Sequence, residues 1–293
     1  MNRMKKIAAL LLVCVLVFAL AGCGKMTPEK LTVKLVESTT GKTMTQATTT
    51  MDIEMDMTIG AAGMTTEMGM DVNYVMNMKM QADPYLVYAD LAMDMAMEAM
   101  GQTMEETVNS EIYVELVDGQ IVGYVFDEST GSWQTSDVDM TEMLESVGKN
   151  MDYTFMKDMI PEIVLDEEKQ TMNGKEVYVV RMTITGEQMQ KATGGAVDMG
   201  SILGQAGLDV EMDFSALSVP TVMYIDAETY LPVKVEMEMI GMDEMMKSML
   251  NQMILGGMEG IEMDVTIPVC KVVYENISFD PVEVPEIPAE AKN

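Results

Sequence analysis

Apolar and polar residues alternate with a period of two along three stretches in the first third of the chain. In residues 51–59, methionine and isoleucine alternate with acidic residues and threonine, and residues 68–80 and 91–97 follow the same rule. Successive side chains of a β-strand point to opposite faces, whereas on a helix this spacing would scatter the methionines around the surface. The pattern therefore predicts three strands, each with one apolar and one polar face.

Shorter apolar runs separated by turn residues continue this series downstream. The dipeptides Asp118-Gly119 and Asn173-Gly174 are typical of tight β-hairpin turns. The threonine-rich residues 38–50 are expected to form either a loop or a polar edge strand. The further strands predicted are residues 111–117, 120–127, 131–135, 162–170, 177–185, 219–226, 232–240 and 261–279.

Helices are predicted at four places in the mature chain. Thr27, Pro28 and Glu29 have the order of an N-cap, a first-position proline and a first-turn acid, which predicts a helix to about Glu37. The other three are expected at residues 139–157, 186–192 and 242–255.

Hairpins interrupted by a few helices are typical of an α+β fold with an antiparallel sheet. A sheet of many strands with one apolar face tends to curl, and the helices are the expected cover of its concave side. We therefore predict a curled antiparallel β-sheet, a half-barrel, that wraps a few helices. Because no linker divides the chain, residues 27–280 are expected to form one domain. Residues 281–293 follow as an extended, proline-rich tail that frays after Pro288.

The N-terminus has the parts of a bacterial secretion signal. Basic residues at positions 3, 5 and 6 precede an apolar run, residues 7–21, which is shorter than the roughly 20 residues that span a membrane. The run ends in Leu20-Ala21-Gly22-Cys23, which resembles the lipobox of bacterial lipoproteins. The resemblance implies that residues 1–22 are a signal peptide, that Cys23 carries diacylglycerol and palmitate, and that residues 23–26 are a short tether. The alternatives are an uncleaved anchor or an ordinary secreted protein.

A lipidated Cys23 would hold the protein on the extracytoplasmic face of the cell membrane, because two or more acyl chains give stable anchoring. The lipobox, the opening helix and the long antiparallel sheet together resemble the LolA-like and LppX-like half-barrel lipoproteins. Two segments carry the likeness: residues 224–234, with Asp226, Thr229 and Leu231-Pro232 in a turn, and residues 124–133. In that group an incomplete barrel encloses an apolar cavity, so the resemblance implies a carrier of a lipid or another hydrophobic molecule.

Methionine is the most unusual feature of the composition, with 38 residues against 5 Phe and 1 Trp. Because methionine is flexible and polarisable, it suits surfaces that bind varied apolar partners. One hypothesis is a ligand cavity on the concave face. A second is a structural or interaction lipoprotein whose core is filled by methionine through compositional bias. A third is a Cu(I)-binding lipoprotein, since thioethers select Cu(I) and Met-x-Met spacing recurs. The proposed cavity residues are Met55, Met57, Met76, Met78, Met80, Met93, Met95, Met97, Met237, Met239 and Met263.

Charge and missing residue types exclude several classes of function. The net charge is −30, and removal of residues 1–22 would leave 15 basic and 48 acidic residues, or −33. Such a charge repels nucleic acid and anionic lipid headgroups. The absence of histidine excludes Ser-His-Asp and Cys-His catalysis and histidine-based zinc sites. We therefore expect no enzyme and no cofactor.

The cysteines also argue against a catalytic role. Cys14 would leave with the signal peptide and Cys23 would carry lipid, so Cys270 would be the lone thiol of the mature chain. A lone thiol forms no intramolecular disulfide, and the apolar residues beside Cys270 predict a small buried hydrophobe rather than a nucleophile.

Overall fold

The computed structural model describes residues 25–61, 64–117, 120–128, 130–136, 153–192, 214–255 and 261–292. Cys23, the predicted signal peptide and the predicted Asp118-Gly119 turn lie outside these residues, as does most of the helix predicted at residues 139–157.

The described residues form one antiparallel sheet of twelve strands. Its order is β6-β5-β4-β3-β2-β1-β12-β11-β10-β9-β7, with β8 paired to β9, so β6 and β7 are its two ends and the sheet is open. The strands are β1 Gln46–Ala61, β2 Met64–Ala82, β3 Tyr85–Ala99, β4 Gln102–Val117, β5 Gln120–Asp127, β6 Ser132–Ser136, β7 Val164–Leu165, β8 Gln170–Met172, β9 Lys175–Thr185, β10 Ser218–Asp226, β11 Pro232–Glu238 and β12 Ile261–Ser278.

Helices α1 (Pro28–Thr39), α2 (Gly186–Ala192) and α3 (Met242–Leu255) accompany the sheet, with 3-10 helices at Tyr153–Lys157, Ile160–Glu162 and Ala289–Lys292. The start of α1 is confirmed, because the Thr27 side-chain oxygen accepts the N–H of Lys30 at 3.3 Å and Pro28 is the first helical residue. A reciprocal capping box between Thr185 and Gln188 begins α2.

The main core lies between α1 and one face of the sheet. Leu31 and Leu35 of α1 cluster with Val180 of β9, Met223 of β10 and Val235 of β11. The 3-10 helices at residues 153–162 add further buried side chains to the same cluster. This arrangement confirms the predicted fold class, a curled, open antiparallel sheet with helices against one face.

One strand prediction is wrong, and a second is right only in its loop alternative. Residues 162–170 contain only the two-residue strand β7 between a 3-10 helix and β8, because the acidic residues 166–168 interrupt the apolar pattern and Asp166 instead pairs with Arg181. Of the alternatives for residues 38–50, the loop holds for residues 40–45, but no edge strand forms, since β1 begins at Gln46 and lies between β2 and β12. Ala47 and Thr49 are small enough to be buried there.

Two helix predictions also need correction at their ends. α1 continues to Thr39, whose hydroxyl donates to the carbonyl of Leu35 at 2.9 Å. Residues 153–157 of the helix predicted at 139–157 form a 3-10 helix.

Residues 281–288 have no helix or strand, as predicted, but the chain does not fray after Pro288, because Ala289–Lys292 form a 3-10 helix against the convex face of the sheet. We call residues 281–292 the C-terminal strap. Ala291 is buried against Tyr113 and Tyr124, and Ile287 packs on the same cluster. Lys292 forms an ion pair with Glu115 of β4, with 2.8 Å between Nζ and Oε1. The strap therefore ties the end of the chain to the β4–β6 side of the sheet.

Candidate functional site

The helix-covered face of the sheet continues beyond the helices onto the strands with alternating methionines. Residues directly opposite each other in antiparallel strands point to the same face. Val235, in the core under α1, pairs with Tyr274 of β12, which pairs with Thr49 of β1. Thr49 pairs with Met76 of β2, and Met76 pairs with Leu91 of β3. We call the inner face of β1–β4, β11 and β12 the methionine face.

All eleven residues proposed from the sequence as cavity lining lie on this face. Met55 and Met57 are on β1, Met76, Met78 and Met80 on β2, Met93, Met95 and Met97 on β3, Met237 and Met239 at β11 and Met263 on β12. Met80 is buried in a small cluster with Val87 and Val114. The other ten are half-buried. Most of these side chains are therefore neither core nor open surface.

Among the side chains that the structure describes, four further methionines on this face are missing from the sequence-based set. Met51, Met68 and Met70 are half-buried and belong to the same alternating series, so the alternation itself could have identified them. Met104 is 56% exposed and lies in a polar stretch of β4 that shows no alternation. Only its pairing with Met97 shows which face it is on.

An open groove lies on β3 and β4 at the end of this face. Its volume is about 420 Å³, and it is lined by Met95, Met97, Met104, Glu105 and Glu106. Glu106 pairs with Met95 across the two strands, so it adds a carboxylate to an otherwise apolar row. Three of its five lining residues are methionines.

Three tyrosines lie in the core or on the methionine face: Tyr153 belongs to the core cluster, Tyr274 packs against that cluster, and Tyr74 is on the methionine face. Burial raises the pKa values of Tyr74, Tyr153 and Tyr274 above the usual phenol value. The Tyr74 hydroxyl donates to the sulfur of Met76 at 3.0 Å. These phenols therefore stay neutral at physiological pH, and Tyr74 and Tyr274 add hydrogen-bonding groups to the methionine face without adding charge.

Acidic side chains of β1–β3 lie on the opposite, convex face. Asp56 and Asp71 are exposed there, between methionines that point inward. In the part of the chain that the structure describes, no group of three or more Cys, Asp or Glu side chains is placed to hold a metal ion. The arrangement can therefore bind an apolar molecule or a soft cation, but it offers no cluster of oxygen ligands.

Two further sequence features can be compared with the structure. Cys270 is buried on β12, and burial raises the pKa of its thiol, which confirms the prediction of a small buried hydrophobe. Among the described helices, none is long and apolar enough to cross a membrane.

Comparison with solved structures finds distant likenesses. LprF from Mycobacterium bovis is 10% identical with a TM-score of 0.38, over 88% of this chain and 96% of LprF. The lipoprotein LppX from Mycobacterium tuberculosis is 11% identical with a TM-score of 0.35, over 88% of this chain and 98% of LppX. A candidate outer membrane lipoprotein-sorting domain from Vibrio parahaemolyticus is 11% identical with a TM-score of 0.22, over 86% and 92%. At these TM-scores, the fold assignment rests on the strand pairing of this chain.

Comparison with curated proteins finds no match to this chain. One family model, described as a family of unknown function (DUF6612), matches residues 32–274. The matched segment contains most of α1 and every strand of the sheet apart from the last residues of β12. The chain therefore belongs to the DUF6612 family.

Proposed function

We propose that this protein is a lipoprotein, anchored through Cys23 on the extracytoplasmic side of the membrane, that binds a hydrophobic, lipid-like ligand on its methionine face without catalysis. The observation that carries the proposal is the half-burial of ten of the eleven sequence-proposed methionines on one continuous face. Methionines that only filled the core would be buried, as Met80, Met156 and Met223 are.

The chemistry of the face suits acyl chains of variable shape. Thioether side chains adapt to irregular apolar surfaces because they are unbranched and polarisable. The inner rows of β1–β3 carry no charged side chain, since the acids of these strands alternate onto the convex face. An apolar ligand would therefore cover thioethers without desolvating a carboxylate.

Polar substitution on the methionine face is expected to abolish ligand binding. In a Met57→Gln, Met76→Gln, Met93→Gln variant, each amide would lose water under the ligand at a cost of about 1–3 kcal/mol. Binding should therefore weaken about 100-fold or more. The measurement is native mass spectrometry of the chain from Lys25 onward, purified from cells and then incubated with a lipid extract.

The matched control places three glutamines on the convex face of the same strands, as Thr50→Gln, Val75→Gln and Ala92→Gln, which lie opposite one another in register. This control should keep the ligand mass. If the unmodified chain shows only the mass of the protein without ligand, both as purified from cells and after incubation with the lipid extract, the carrier proposal is contradicted. That result would favour a structural or interaction lipoprotein.

The anchor is tested separately with Cys23→Ala in the native host. The unmodified protein should fractionate with membranes and incorporate labelled palmitate, and the variant should lose the label and leave the membrane fraction. Cys14→Ala, inside the predicted signal peptide, is the control and should leave lipidation intact. Palmitate labelling that survives Cys23→Ala would refute the lipobox assignment.

A further inference from the structure

Four methionines from four neighbouring strands form one straight row across the sheet. Met55 of β1 pairs with Met70 of β2, Met70 with Met97 of β3, and Met97 with Met104 of β4. Opposite residues of antiparallel strands have Cβ atoms about 4.5–5.5 Å apart. Because methionine has three rotatable side-chain bonds, sulfurs from neighbouring strands can converge on one point. We call these four residues the methionine row.

The next rows add thioethers on both sides. Met57 pairs with Met68 on one side of the row. Met95 lies on the other side, opposite Val72 and Glu106. The row is therefore the centre of a patch in which each sulfur has several sulfur-bearing neighbours.

These sulfurs are accessible, which the sequence alone does not reveal. Alternating apolar positions are usually core, and a packed core has no thioether to offer to a ligand. Here Met55, Met70 and Met97 are half-buried and Met104 is mostly exposed. The open groove of about 420 Å³ runs along Met97 and Met104.

The charge of the surrounding strands favours a cation. On β1–β4 the single basic side chain is Lys79, against the acidic residues Asp52, Glu54, Asp56, Glu67, Asp71, Asp90, Asp94, Glu98, Glu105, Glu106, Glu111 and Glu115. A sheet of one sign of charge concentrates ions of the opposite sign near its surface. The ligating atoms themselves are neutral, so the acids attract the ion and the sulfurs select it.

We propose that the methionine row binds a soft monovalent cation, Cu(I), through thioether sulfurs of Met55, Met70 and Met97, with Met104 at the open end. Thioethers are soft ligands that favour Cu(I) over hard cations such as Mg²⁺ or Ca²⁺. Thioethers carry no proton in this pH range, so binding needs no deprotonation and should persist at about pH 5, where a thiol or imidazole ligand is protonated. The proposal goes beyond ligand carriage and does not depend on it.

The test measures Cu(I) affinity of the full chain by competition with a colorimetric Cu(I) chelator, without oxygen. Cys14→Ser, Cys23→Ser and Cys270→Ala are introduced throughout, because Cys270 pairs with Ile53 beside the row and no thiol should compete with the thioethers. The row variant is Met55→Leu, Met70→Leu, Met97→Leu. The control is Met237→Leu, Met239→Leu, Met242→Leu, at β11 and the start of α3.

The row variant should bind Cu(I) at least tenfold more weakly, and the control should match the parent chain at pH 5 and pH 7. X-ray absorption of the parent complex should show sulfur as the only nearest-neighbour element. Ag(I), a redox-inert soft cation, should shift methyl NMR signals of Met55, Met70 and Met97 in the parent chain. This readout does not depend on the folding of any variant.

Unchanged affinity in the row variant, an equal loss in the control, or no Cu(I) uptake by the parent chain would overturn the proposal. Lipid binding of the row variant is measured in parallel, because Met55 and Met97 also belong to the proposed ligand cavity and leucine keeps them apolar and similar in volume. Loss of Cu(I) with lipid binding retained, or the reverse, therefore separates this site from the carrier function.

Discussion

Deletion of residues 281–293 should lower the free energy of unfolding by about 2–4 kcal/mol. Val284 and Ala291 are buried, and Ile287 packs on the aromatic cluster of the convex face. Because the strap is ordered against the sheet, its buried side chains and its other contacts, such as the Lys292–Glu115 ion pair, together outweigh the chain entropy that is regained when the strap is freed. Total stabilities of domains are about 5–15 kcal/mol, so this loss would be a large fraction of the whole.

Trp133 reports the same event spectroscopically, because it is the one tryptophan in the sequence. Its ring lies 5.7 Å from that of Tyr113 and 5.2 Å from that of Phe126, measured between centroids. The strap residues Ile287 and Ala291 belong to the same cluster. Deletion should therefore move the Trp133 emission of the folded protein to longer wavelength.

Lys292→Gln is the control for this deletion. It removes the partly exposed ion pair with Glu115 and the cation–π contact with Tyr124, whose ring centroid lies 6.0 Å from Nζ, and should cost no more than about 1 kcal/mol. Urea titration followed by fluorescence measures both variants. A deletion variant as stable as the intact chain would show that the strap covers the sheet without stabilising it.

Asp226→Ala should cost about 2–4 kcal/mol of the free energy of unfolding at pH 7. The Asp226 side chain is 5% exposed and ends β10 at the turn into β11. Its carboxylate accepts the backbone N–H groups of Glu228 and Thr229, each at 2.9 Å, and lies 3.6 Å from the Lys175 ammonium. Alanine would leave both N–H donors of the turn without their partner.

The same contacts make the stability that Asp226 contributes depend on pH. Burial alone would raise the pKa of Asp226, but the N–H groups of Thr229 and Glu228 and the charge of Lys175 outweigh it, so the pKa is lowered. The ionised carboxylate therefore contributes stability above the unfolded pKa of about 3.9, and the contribution is lost as the pH falls through the lower folded pKa.

An Asp226→Asn variant isolates this charge. The stability gap to the parent chain should be widest near neutral pH and should narrow as the pH falls below about 4. Asp166→Asn is the control, because its pair with Arg181 lies at the surface and should contribute no more than about 1 kcal/mol. A gap for Asp226→Asn that is constant with pH would contradict the assigned role of the charge.

The alternation of residues predicts the faces of the sheet well, because the side-chain period of a strand is two wherever one face is apolar. Strands at residues 51–59, 68–80 and 91–97 are confirmed within β1, β2 and β3. The Asn173-Gly174 turn is confirmed too, with φ values of 50° and 79° that only such residues adopt readily. These signals are local, so they can be read from neighbouring residues.

The start of β4 has no such signal. The β3–β4 turn places Met100 at a φ of 54° and Gly101 at 74°. Residues in this left-handed conformation are usually Asn, Asp or Gly at both positions. Because the first position here is Met100, the hairpin could not be predicted from the sequence. The polar residues that follow Gly101 lie on both faces of an exposed strand end and show no alternation.

The order of the strands in the sheet and the contacts of the strap also could not be predicted from the sequence. Alternation identifies the face of a residue but not the strand beside it, so the methionine row became visible only through the pairing of Met55, Met70, Met97 and Met104. The strap carries prolines at positions 281, 285 and 288, which predict extended chain. Its contacts with Tyr113 and Tyr124 depend on the fold of residues far away in sequence.

The pairing of β1 with β12 also affects how the protein reaches its native state. Met51 pairs with Val272 and Ile53 with Cys270, so the central ladder joins the beginning of the domain to nearly its end. Closing so long a loop costs entropy before any contact compensates for it, which slows folding. During synthesis, the 16-residue strand β1 would have one unpaired edge until residues 261–278 are synthesised. An open edge of this length can pair with a strand of another chain, so aggregation is expected chiefly in this interval.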